Sequence, residues 1–224
     1  TGDRVKAGQP LIRVRNSVGA RFAWRIRPSA FLRELTSRLD ERGPWVNLSD
    51  GGHIENLAGL ELLRRRCKYV ILGDGEADPH LHFEGLAVLM RTAAIDLGIR
   101  IDIDVDALRL RASEREPDGP PVSGAHFALG TITYPQRPGD AEAETGYLLY
   151  VKSSFTGDED EVIRQYRHQH PDFPHEATAD QFFDEGQFEA YRALGQHIGE
   201  GLFGARTAPL SYAEFTAWMA RSRS

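Results

Sequence analysis

At 224 residues with 41% hydrophobic content, the chain is long enough to bury one sizeable core, as a large domain or a domain with an appendage. Its 27 Lys and Arg are scattered among 33 Asp and Glu for a net charge of −6, which leaves no basic stripe for a phosphate backbone and argues against nucleic acid as a partner. A single cysteine, Cys67, excludes an internal disulfide framework and a thiolate zinc cluster, and no window approaches the ~18 apolar residues of a membrane-spanning helix.

Residues 1–24 read as a leading segment or linker, a turn and a short strand. Ser29 then caps a helix to about Asp40, and Gly43-Pro44 stops it. The apolar strand Trp45-Val46-Asn47-Leu48 runs into Ser49-Asp50, where Gly51 and Gly52 let the backbone turn without a Cβ penalty. Leu57, Leu60 and Leu63 recur at helical spacing and predict a helix over 57–66. Its last turn is crowded by Arg64-Arg65-Arg66, read as a solvated cap opposing the helix dipole, with a lipid head-group contact as the alternative. Tyr69-Val70-Ile71-Leu72 is all apolar, as expected of a strand covered on both faces, and ends at Gly73-Asp74. Phe83, Leu86, Met90, Ala94 and Leu97 mark the next helix, stopped at Gly98, and the alternation from Ile99 to Val105 predicts a strand with one face in water. Strand, helix, strand, helix, strand predicts a parallel, doubly wound sheet. Residues 112–124 form a loop, and Ala125–Tyr134 with Tyr147–Ser153 form a β-hairpin. Helices follow over Asp158–His168, Thr178 to about Leu202, and Ser211–Arg221, the middle one with a core-packing stripe of Phe188, Tyr191, Ile198 and Leu202.

Asp50 is the candidate reactive group, because an aspartate where a buried strand hands over to a helix stands at the carboxyl edge of an α/β sheet, where such folds put their ligands. The metal readings are weaker. Asp102, Asp104 and Asp106 share one strand face, but a calcium loop would need glycine where Ala107 stands and glutamate where Ser113 stands. Asp74, Glu76 and Asp78 resemble a magnesium carboxylate cluster without any phosphate-holding motif, and a magnesium-dependent phosphatase is kept as an alternative. His80, His82, His168, His170 and His175 lack zinc-helix spacing and read as surface or hydrogen-bonded histidines, so no metal or cofactor is expected. No serine within the 224 residues sits in a Gly-x-Ser-x-Gly elbow, and Cys67 lies in an apolar run where a thiol is inert.

The Leu48–Leu57 block with Arg64-Arg65-Arg66-Cys67, together with Phe173-Pro174-His175-Glu176-Ala177-Thr178-Ala179-Asp180-Gln181-Phe182-Phe183-Asp184-Glu185 and Gln187–Arg192, resembles the carboxyl-terminal part of large bacterial patatin-related proteins, within the patatin-like phospholipase family. The resemblance spans about residues 25–200. It implies a three-layer α/β sandwich with a mostly parallel sheet over residues 25–224, with the hairpin and carboxyl-terminal helices as additions. It also implies a Ser/Asp dyad acting on lipid acyl esters, with Asp50 as the base, Gly51 and Gly52 allowing close approach, and Asn56 bracing the loop. Because the serine elbow and oxyanion loop of that family precede the aspartate block, the nucleophile is expected from a preceding segment of the same protein, and the isolated chain is expected to be inactive. The expected partners are a lipid or acyl-ester substrate and a membrane surface, the expected location is cytoplasmic or membrane-associated, and a non-catalytic module that kept the fold is the further alternative.

Overall fold

The computed structural model describes residues 52, 54–113, 115, 117, 119–139, 142–177, 182–204, 214, 215 and 217. The chain divides into two units, Thr1–Ile54 and Glu55–Ser224, and the elements that follow belong to the second. Asp50, Gly51, the Ser29 helix, the Trp45–Leu48 strand and nearly all of the expected Ser211–Arg221 helix lie outside the described residues.

In chain order the elements are α1 (Leu60–Arg64), β1 (Tyr69–Asp74), α2 (Glu84–Leu97), β2 (Arg100–Ile103), β3 (Leu110–Arg111), β4 (Val122–Ser123), β5 (Phe127–Thr133), β6 (Thr145–Lys152), α3 (Glu161–Gln169) and α4 (Glu185–Phe203). Local chemistry sets the helix ends. Asp160 and Asp184 cap α3 and α4 by accepting from the N–H groups of Ile163 and Gln187, and Gly98 ends α2 at φ 64°, a left-handed conformation that costs glycine nothing. The first helix is shorter than its leucine spacing predicts. The buried Glu55 carboxylate takes the N–H groups of Leu57 and Leu60 at 2.8 and 3.1 Å, and Ala58 stands at φ 53°, so the helix begins only at Leu60.

Four strands form a mixed sheet in the order β1-β6-β5-β2. Only β1 and β6 pair in parallel, from Tyr69 opposite Tyr147 to Asp74 opposite Lys152. The β5–β6 hairpin and the β2–β5 pair are antiparallel. The expectation of a mostly parallel sheet is therefore corrected for the described residues. β1, α2 and β2 do form a strand–helix–strand unit with both strands running the same way, but the later hairpin enters the sheet between them, so that β5 runs antiparallel to both of its neighbours, β6 and β2. Residues 112–124 are likewise not all loop: β4 pairs with β3, and the Ser123 hydroxyl donates to the Leu108 carbonyl at 2.8 Å.

Alternation along β6 distributes the core. Leu148 and Tyr150 join Val70, Leu72, Ile132 and the α2 residues Leu86, Leu89 and Ala93 in one cluster, whereas Leu149 packs with Leu202 of α4, flanked by Val151 and Phe203. A third cluster joins α3 and α4 through Ile163, Tyr166, Phe173, Ala190, Leu194 and Ile198. The buried stripe of α4 thus runs through Ala190, Leu194, Ile198 and Leu202, and Phe188, expected on it, is 61% exposed. β1 is not covered on both faces as its composition predicts: Val70, Leu72 and Asp74 are buried, while Ile71 is 54% exposed. β2 shows the predicted half-solvated pattern, with Ile101 buried and Arg100 and Asp102 exposed.

Candidate functional site

Of the residues assigned to the Asp50 turn, Gly52 and Asn56 are described, and Gly52 is exposed. Asn56 donates from Nδ2 to Glu76 Oε1 at 2.5 Å, a contact that spans 20 residues of sequence. The neighbouring Glu55 organises the backbone that follows by receiving two N–H groups, a role that its sequence context did not reveal. Asn56 is therefore tied to the carboxyl end of β1, since Glu76 stands two residues beyond Asp74.

That edge is fixed by a buried polar brace. Asp74 and Lys152 close the parallel pair at opposing register positions, with both side chains fully buried and Lys152 Nζ 2.8 Å from Asp74 Oδ1. The same ammonium donates to the Glu76 carbonyl at 3.1 Å. Tyr150 donates its hydroxyl to Asp74 Oδ2, and the Glu76 N–H donates to Asp74 Oδ1 at 2.9 Å. Burial, reinforced by the hydrogen bond to Asp74 and its charge, drives the Tyr150 hydroxyl far above the ordinary phenol range, so it remains a donor. A buried carboxylate with an ammonium, a phenol and an amide around it is satisfied, and its energy goes into holding the 74–78 loop in one place.

The rest of that loop is also engaged. Burial alone would raise the Asp78 carboxyl, but the N–H groups of His82 and Phe83, at 2.9 and 2.7 Å, with Lys152 and His175 nearby, lower it on balance. His175 Nδ1 lies 3.3 Å from the Asp78 backbone N, and burial, with the Lys152 charge, pushes this imidazole down towards neutrality. Beside it is a cavity of about 230 Å³ lined in part by Pro79, Leu81, Leu110 and His175. That is below the roughly 300–1,000 Å³ usual for small-molecule sites, so it is not assigned to the acyl substrate.

The carboxylates proposed for magnesium thus have other work: Asp74 faces Lys152, Glu76 faces Asn56 and Asp78 receives two backbone donors. Asp102, Asp104 and Asp106 are exposed, and Asp104 accepts from the Asp106 N–H at 2.8 Å. The arginine triplet divides. Arg64 and Arg65 are solvated and pair with Glu61, whereas Arg66 is largely buried, pairs with Glu144 at 3.1 Å, donates to the Pro135 carbonyl at 2.9 Å and lies 5.0 Å over the Tyr134 ring. Arg66 is a tie to the hairpin and is withdrawn from any head-group role. His80 and His82 are exposed, as their sequence context predicts. Lys152 and Tyr150 were not legible as site residues: they end an apolar strand, and only the register that brings them to Asp74 reveals them.

Comparison with protein families, with curated proteins and with solved structures finds no match to this chain. Among the described residues no helix is long and apolar enough to cross a membrane.

Proposed function

We propose that this chain carries the aspartate half of a Ser/Asp lipid acyl hydrolase. Asp50 is the general base, and the serine elbow and oxyanion donors come from outside the 224 residues. The reading rests on the Asp-Gly-Gly resemblance. The observation that supports it is the Asn56–Glu76 hydrogen bond, which ties a residue of the resembling block to the carboxyl end of a parallel strand pair. In this scheme Asp50 takes the serine proton as the oxygen attacks the ester carbonyl and passes it to the departing alcohol as the acyl-serine forms. The carboxylate, ionised again, then takes a proton from the attacking water and returns it to the serine oxygen as the acid leaves. Gly51 and Gly52 let the loop come close to the nucleophile, and the Asp74–Lys152–Tyr150 brace holds Glu76 where Asn56 meets it. The fold belongs to the same proposal: a patatin-type sandwich is supported by the β1–β6 pair and by helices packed against side chains of both sheet faces, and it would need further parallel strands from elsewhere in the protein. The substrate is a lipid or other acyl ester met at a membrane surface.

A non-catalytic module with the same fold is the second reading, favoured by the absence of a Gly-x-Ser-x-Gly elbow from these residues. Two proteins separate the readings: the 224-residue chain, and the chain with its upstream segment. The longer protein should hydrolyse a chromogenic acyl ester, and Asp50→Asn should lower turnover about 10²–10⁴-fold with an unchanged circular dichroism spectrum. The 224-residue chain should be inactive. Full turnover by the Asp50→Asn protein would overturn the assignment, and vesicle binding without turnover would establish the module.

A further inference from the structure

On the hairpin side of the same sheet edge, four residues that neither the dyad nor its brace uses converge from three segments. His126 precedes β5 and is held against the end of β6 by a hydrogen bond from the Lys152 N–H to its carbonyl at 2.8 Å. Asp158 and Glu159 stand in the turn before α3, and His197 is on α4. One nitrogen or oxygen from each of the four lies within 4.8 Å of all the others. His126 Nε2 is 4.0 Å from Glu159 Oε1, and His197 Nε2 is 3.2 Å from Asp158 Oδ1. Ligands bound at about 2.0–2.1 Å around a tetrahedral ion stand about 3.4 Å apart, so these separations bracket that value.

Hydrogen bonds hold the members of this cluster in place. The Ser154 hydroxyl is fully buried, 3.2 Å from the Ala125 carbonyl, and hydrogen-bonds with His126 Nδ1 at 3.0 Å. With Nδ1 engaged there, Nε2 is the ring nitrogen that faces the cluster, the outer-sphere arrangement common to metal-bound histidines. Facing it is the Thr156 hydroxyl, 3.1 Å from His126 Nε2, 3.1 Å from Glu159 Oε1 and also bonded to Asp158 Oδ1. The Glu159 side chain is completely buried, and its two oxygens also accept the N–H groups of Thr156 and Gly157 at 2.7 Å each, which fixes the carboxylate beside that hydroxyl.

We propose that His126, Asp158, Glu159 and His197 bind one divalent transition ion of the zinc type, clamping the base of the hairpin and the turn before α3 to α4. Two imidazoles with two carboxylates suit zinc and its neighbours, whereas magnesium and calcium take all-oxygen sets. The site is independent of the acyl-transfer proposal.

The test uses the chain stripped with EDTA and titrated calorimetrically with zinc chloride, with cobalt chloride as a spectroscopic probe. Wild type should bind one equivalent of zinc, rise in Tm, and give the visible bands of four-coordinate cobalt. His197 is on a helix surface with its side chain 28% exposed and Asp158 is 55% exposed, so His197→Gln and Asp158→Asn should fold normally. Each should weaken zinc binding by at least about tenfold. His80→Gln/His82→Gln, which alters the exposed histidine pair, should bind as wild type does. No stoichiometric binding to the wild type, or binding undiminished in both His197→Gln and Asp158→Asn, overturns the proposal.

Discussion

Replacing Lys152 with methionine removes the ammonium from a carboxylate that has no exposed surface, since both side chains of the pair are fully buried. Breaking one partner out of a buried ion pair costs about 3–5 kcal/mol, because the surviving charge is left uncompensated in a poorly polarisable interior. Asp74 retains donors in the Tyr150 hydroxyl and the Glu76 N–H, which places the expected loss for Lys152→Met near the lower bound, about 3 kcal/mol. That is a large share of the roughly 5–15 kcal/mol that holds a domain folded. Asp74→Asn/Lys152→Met removes both charges while keeping an oxygen to accept from Tyr150, and should recover most of the loss. Urea unfolding of wild type, the two single variants and the double variant closes a mutant cycle, with an expected coupling of at least about 2 kcal/mol. If Lys152→Met falls within about 1 kcal/mol of wild type, or if the cycle shows no coupling, the pair does not hold the sheet edge and the reasoning fails.

A Cβ at Gly85 would lie 1.8 Å from Glu76 Oε2, so Gly85→Ala should swing the Glu76 carboxylate away from Asn56. Only the end of a flexible side chain moves and alanine suits a helix, so Tm should change little while ester hydrolysis by the intact protein falls; unchanged hydrolysis would detach the Asn56–Glu76 contact from the site. Burial depresses the imidazoles of His126 and His175 below the ordinary value of about 6.5. The unfolded chain therefore binds protons that the folded chain does not. Stability is fully present above about pH 6.5 and declines on acidification through that value, by up to about 1.4 kcal/mol per pH unit for each histidine. Urea midpoints at pH 7.5 and 5.5 in EDTA measure it, and stability that is flat or rising towards low pH would show the imidazoles to be solvated.

Local order was largely legible because it depends on neighbours in sequence. The apolar spacing from Phe83 to Leu97, the Gly98 stop, the alternation around Ile101 and the hairpin all reappear at nearly the expected positions. Where sequence reading failed, a side chain outside the pattern being read had intervened, near in sequence or far. The leucines predicted a helix from residue 57, but the Glu55 carboxylate claimed the N–H groups that such a helix would have used. Arg66 looked like its two neighbours until Glu144 and Pro135, far along the chain, took up its guanidinium.

The sequence by itself determined a cored α/β chain, the order and type of its main helices and strands, and an aspartate followed by two glycines, because patterning and turn chemistry act over a few residues. Tertiary structure alone decided that the hairpin enters between β1 and β2, that Lys152 and Tyr150 meet Asp74, and that His126 and His197, 71 residues apart, share a cluster with Asp158 and Glu159. Strand register and helix docking are settled by burial of the whole core, and no local window of residues contains that information.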